Sequence, residues 1–161
     1  MAVRISKILL VASIGALLLL IALDNVFDYN TNYEIVSHVM SMDEVPRDSV
    51  ISWRSITNPT LHKLLYGFII FTEFAAAALC LAGAGKLWRE RRAEAVRFNA
   101  AKNIAVAGLA LGLGLYLFGF LGVGGEWFQM WRSATYNMQQ AAFRFIGSIG
   151  LVLLFVHQRD D

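Results

Sequence analysis

The sequence is poor in the residues that soluble enzymes and metalloproteins rely on. It holds a single cysteine among 161 residues. Cys80 therefore has no partner for an internal disulfide, and thiol-relay chemistry, which needs paired cysteines, is excluded. Charged residues make up 16% of the chain, against about 25% in a typical soluble domain. No Gly-x-Ser-x-Gly, His-Glu-x-x-His or phosphate-binding glycine loop occurs. Gly122-Val123-Gly124-Gly125 follows an apolar helix rather than a strand, so it does not read as a nucleotide loop. The basic stretch around residues 86–102 lacks the size and aromatic interleaving of a nucleic-acid site. No enzymatic activity, cofactor or nucleic-acid partner is expected.

Apolar residues are what the chain has in quantity: 57% of it is hydrophobic. That excess needs a solvent other than water, and a bilayer supplies one. Four runs stand out. The first reads as a span over 5–27. Its end, Ala22-Leu23-Asp24-Asn25-Val26-Phe27, fits a signal-peptide cleavage site poorly, so the span is read as uncleaved. The others are placed at 61–84, 104–123 and 137–157. Each is near the roughly 20 residues a helix needs to cross about 30 Å of hydrocarbon. We therefore expect an all-α, integral membrane four-helix bundle, one domain over 1–161, embedded in lipid.

The connections differ in charge. Residues 85–103 carry Lys86, Arg89, Arg91, Arg92, Arg97 and Lys102. Segment 28–60 is mainly acidic, and 124–136 holds only Arg132 as a basic residue. The positive-inside rule assigns 85–103 and both termini to the cytoplasm, and the other two connections to the outside. In the first outer loop, Thr31 with Glu34 has the spacing of a capping box. Ile35, Val39 and Met42 follow at helical spacing, which predicts a short amphipathic helix from about Asn32 to Met42. Thr60 is the expected cap of the second span. Gly124 and Gly125 are expected to break the third. Trp53, Trp127 and Trp131 read as interfacial aromatics, the last two on one face of a helical turn.

Five residues form an expected intramembrane polar cluster: Asp24, Asn25, Glu73, Glu126 and Arg144. Glu73 lies near mid-span, where an ionised carboxylate is costly unless it faces the bundle interior. Arg144 is its natural counter-charge, and the cluster implies that Arg144→Leu lowers the folded yield. Gly108, Gly112 and Gly119 share one face of the third span and read as helix-packing residues, with Ala75, Ala78 and Ala82 as a matching face on the second. His62 and His157 fall at opposite faces of the membrane. His38 and His62 share the outer side, a third ligand would be needed for a metal, and no metal site is assigned.

Several strings are familiar in combination. They are Asp24-Asn25-Val26-Phe27-Asp28-Tyr29, His38-Val39-Met40-Ser41-Met42, Pro59-Thr60-Leu61-His62, Gly124-Gly125-Glu126-Trp127-Phe128 and Ala142-Phe143-Arg144-Phe145. With them the chain resembles a bacterial family of predicted small integral membrane proteins of unknown function. The resemblance implies the same four-span architecture and no activity. Together, these readings point to a non-enzymatic accessory or scaffold subunit of a larger complex, or a homo-oligomer, in the bacterial plasma membrane. A small proton-coupled carrier or channel using Glu73 is the alternative. A haem- or quinone-binding redox subunit is the third.

Overall fold

The computed structural model describes residues 1–161. Its regular elements are all helices, with no strand. Helix α1 is Ala2–Phe27 and α2 is Tyr29–Ser41; α3 is Pro59–Arg89, α4 Ala95–Ala101, α5 Asn103–Gly114 and α6 Gln139–His157. Between α5 and α6 the chain continues as a π-helical segment, Leu115–Trp127. Four helical stretches are long and apolar enough to cross a membrane: Ala2–Phe27, Pro59–Arg89, Ala95–Trp127 and Gln139–His157. In hydrocarbon every backbone N–H and C=O must be satisfied within its own segment, which is why such sequences become helices.

α3 is the central element. α1 packs along one side of it and α5 along another, and α6 closes the bundle against α5 and the π-helical segment. Apolar burial does not by itself drive helices together in lipid, so close backbone approach has to do so. A Cβ on Gly108 would lie 2.7 Å from Cys80 N of α3, and one on Gly83 would lie 2.5 Å from Ala105 N of α5. Only glycine fits at these two crossings. Gly112 faces Leu18, Ile149 and Ala76, whereas Gly119 has only its own helix's Leu115 nearby. The small face of α3 is Ala76, Ala77, Cys80, Gly83 and Ala84. It is rotated from the expected Ala75, Ala78 and Ala82, of which the last two are exposed.

Both chain ends lie at one end of the bundle, here the terminal end, because Arg4 of α1 pairs with Asp160. The opposite, loop end carries α2 and the two longer connections. Several local details differ from the sequence-based expectation. α2 starts at Tyr29, and Thr31 donates to Asp28 Oδ1 (2.9 Å) instead of capping the helix. α2 ends where Met42 turns left-handed at φ 52°. Asn58, not Thr60, caps α3: its Oδ1 accepts from Thr60 N (2.9 Å), with Pro59 in the first turn. Gly124 and Gly125 do not break the third span. Helical turns widen through them instead, closed by Phe128 N donating to Val123 O at 3.0 Å. Trp131 lies in a separate 3₁₀ turn, Met130–Arg132, past the left-handed Gln129, so Trp127 and Trp131 do not share a helical turn.

Candidate functional site

Glu73 is fully buried near the middle of α3. Asn25 of α1 donates from Nδ2 to Glu73 Oε2 at 2.7 Å. Tyr116 of the π-helical segment donates its hydroxyl to Oε1 at 3.1 Å. Tyr66, two turns before Glu73 on the same face of α3, donates to Asn25 O at 2.9 Å and meets Asn25 Oδ1 at 3.4 Å. The chain Tyr66–Asn25–Glu73–Tyr116 thus joins three spans through four side chains. No lysine, arginine or histidine forms an ion pair with Glu73. Each of its oxygens accepts one hydrogen bond from a neutral donor and keeps acceptor capacity to spare.

Glu73, itself only 1% exposed, is among the residues lining a cavity of about 140 Å³. Ile21 and Asn25 of α1, Asn32, Ile35 and Val36 of α2, and Tyr66, Ile69 and Glu73 of α3 form part of its wall. Tyr116, Phe120, Ala142 and Phe145 close the other side. A second cavity of about 200 Å³ adjoins it and shares Ile35, Val36, Ile69 and Phe120. Its remaining lining is almost wholly apolar and includes Phe68 and Phe118, both well exposed on the outside of the bundle.

The other members of the expected polar cluster stay apart from Glu73. Asp24 and Glu126 are exposed, and neither forms an ion pair. Arg144 is exposed on the outward face of α6, because Ala142, Ile149, Val152 and Val156 take the inward face. Trp53 and Trp127 do meet, edge to face at 5.8 Å, with the Arg54 guanidinium over both rings. This contact ties the two loop-end connections together. Glu44 Oε2, accepting from Ala134 N at 3.0 Å, and His38, stacked on Tyr136 at 4.2 Å, do the same. His38 pairs with Asp43 (2.5 Å) and His62 donates to Ile56 O (2.6 Å), so each histidine is engaged with its own neighbourhood. No three His, Cys, Asp or Glu side chains come together as a metal site.

The model of the family described as predicted small integral membrane protein (DUF2165) matches residues 3–159. The chain belongs to this family. No curated protein and no solved structure matches it. Membership agrees with the four apolar helices: the protein is a multi-pass integral membrane protein in contact with bilayer lipid.

The terminal end holds a cluster that the sequence reading missed. Asp160 accepts from Lys7 Nζ at 2.6 Å, Lys102 Nζ at 2.9 Å and Arg4 Nε at 3.1 Å. Lys7 and Lys102 are buried and also donate to Gln158 O, both at 2.7 Å. Asn99 grips the Asp160 backbone from both sides. Burial alone would push the Asp160 carboxyl up. The hydrogen bonds and charges of Lys7, Lys102 and Arg4 outweigh it and hold the group down at about 2. Tyr116 as a partner of Glu73 and Tyr66 as a partner of Asn25 were also missed. For Tyr116 the signal was present, since a buried tyrosine hydroxyl in a span needs an acceptor and Glu73 is the buried carboxylate available.

Proposed function

We propose that the protein is a non-enzymatic accessory subunit of a larger assembly in the bacterial plasma membrane, with both termini cytoplasmic. One observation carries this reading: Arg144 is exposed on the outward face of α6, in a polar line with Gln140 and Ser148 that runs beside the exposed Phe143, Leu151 and Leu154. Gln140, Arg144 and Ser148, spaced four apart, are all exposed. Gly147 and Gly150 on the same helix have nothing within 4 Å of a would-be Cβ. A lone arginine on a lipid face is costly, and small residues beside it permit close approach of another helix. The complementary partner is a transmembrane helix carrying a carboxylate at the depth of Arg144. The orientation rests on the six basic residues of 85–103 and follows the positive-inside rule.

Photo-crosslinking tests the reading directly. A crosslinker at position 147, on the α6 stripe, is expected to capture one membrane protein in high yield. The same group at Phe71, an exposed apolar residue of α3, is expected to capture none. Equal capture at both positions, or only lipid at both, contradicts the proposal.

Glu73 favours a second reading, a small proton-coupled carrier, because an intramembrane acid lining a cavity is a typical ion site. Passage also needs a route to the other side. Toward the terminal end, α3 and α5 meet backbone to backbone at Gly83 and Gly108, which argues for a closed-ended cavity. Proton flux in proteoliposomes that vanishes in Glu73→Gln would restore the carrier reading.

A further inference from the structure

Glu73 combines three features that no structural role requires together. It is a fully buried acid, it has no counter-charge in the protein, and it borders unfilled space. A residue needed only to hold helices together has no use for a cavity beside it.

The walls of that space are aromatic. Tyr116 packs against Phe145 at 4.6 Å and Phe120 at 5.4 Å. Tyr66 lies across the cavity's other side, with Tyr29 set edge-on to it at 4.8 Å. Aromatic faces around a carboxylate are the chemistry that holds an alkylammonium group. The rings attract the cation through their quadrupoles and offset part of its lost hydration, while the acid neutralises its charge. The cavity volume, about 140 Å³, is close to that of a protein cavity of ~150 Å³ that admits a benzene-sized molecule. The adjoining apolar cavity of about 200 Å³ suits a hydrocarbon tail. Its exposed wall residues Phe68 and Phe118 place its mouth on the lipid-facing side, between α3 and the π-helical segment. The widened turns of that segment help to open the space: Gly119 and Gly124 line the apolar cavity and add no side chain to it.

We propose that the Glu73 cavity and the apolar cavity beside it form one binding site for a lipophilic organic cation, an amine or quaternary ammonium with an apolar tail, admitted sideways from the bilayer. Glu73 takes the charge. Asn25 and Tyr116 fix the carboxylate, and Tyr66, Tyr116, Phe120 and Phe145 surround the alkyl groups. The site does not depend on the α6 stripe, and either proposal can fail alone.

The test uses the full chain in uncharged maltoside micelles, with benzyltrimethylammonium as the probe and its neutral carbon isostere as the control. Binding is read by ligand-observed NMR and titration calorimetry. Saturable binding of the cation is expected, with the neutral isostere at least roughly tenfold weaker, as loss of a buried charge partner implies. Glu73→Gln is expected to lower cation affinity to the level of the isostere. If that variant does not fold, Ala141→Phe, at a residue of α6 that also lines the Glu73 cavity, serves instead and is expected to abolish binding in a folded protein. Absence of saturable cation binding overturns the proposal. So does equal or tighter binding of the neutral isostere, or undiminished binding in a folded Glu73→Gln or Ala141→Phe variant.

Discussion

Arg144 and Glu73 are the two residues whose sequence positions invite pairing, and the structure separates them. Arg144 is exposed on α6, while Glu73 is buried against Asn25 and Tyr116. Depth along a span is legible from residue counts, since each residue adds about 1.5 Å. Rotation about the helix axis is not, because lipid and core are both apolar and hydropathy does not tell the two faces apart. Asn25 could be matched to Glu73 by depth; Asp24, the next residue, points elsewhere. The stability expectation for Arg144 therefore reverses. Arg144→Leu removes no internal bond of its side chain and is expected to leave the melting temperature of the isolated protein within about 2 °C, in line with a surface change of no more than ~0.5 kcal/mol. Thermal unfolding in detergent checks this, and a large drop would show that Arg144 has an internal partner.

At the scale of the element, the four spans and the short helix of the first loop were readable because run length and periodicity set them. Their ends were less so. The cap of α3 moved from Thr60 to Asn58, and the third span ran through Gly124 and Gly125. Glycine breaks a helix in water because the freed backbone can be solvated; in lipid it must still find an internal partner, so the helix widens and continues. The crossings of α3 with α5 put a sharp test on this packing. Gly83→Ala places a methyl group 2.5 Å from the backbone nitrogen of Ala105. It is expected to destabilise the protein by about 3 kcal/mol, at the upper end of overpacking costs. Gly114→Ala meets nothing within 4 Å. It is expected to be neutral or to stabilise the helix by up to about 1 kcal/mol. Urea or thermal unfolding of the two variants distinguishes them, and equal effects would contradict the close approach of these helices.

Across the whole molecule, opposite ends of the bundle are closed by different chemistry. The loop end is closed by aromatic and guanidinium contacts among Trp53, Arg54 and Trp127. The terminal end is closed by Asp160 among Arg4, Lys7 and Lys102, which joins α1, the α4–α5 junction and the C-terminal tail. No periodicity announces a tail that docks through one carboxylate, so this latch was not visible in the sequence. Its pH dependence follows from the Asp160 carboxyl lying at about 2 in the folded protein, below its unfolded value of about 3.9. A carboxyl depressed in this way stabilises the fold fully above the unfolded value. That contribution is lost as pH falls through the interval from about 4 to about 2. Asp160→Asn is expected to be less stable than the parent near neutrality and to converge with it near the acid end of that interval. Melting curves across pH check this, and a constant difference would show that the carboxylate's charge is not what holds the tail.

As proposed above, the outward face of α6 docks the protein into a larger membrane assembly. The most direct measurement is the mass of the intact particle released from its native membrane in mild detergent, for the wild type and for Arg144→Leu. A stoichiometric heteromeric complex is expected for the wild type, and a folded, free subunit for the variant. A lone monomer or homodimer in both cases, or a complex indifferent to Arg144, would contradict this docking.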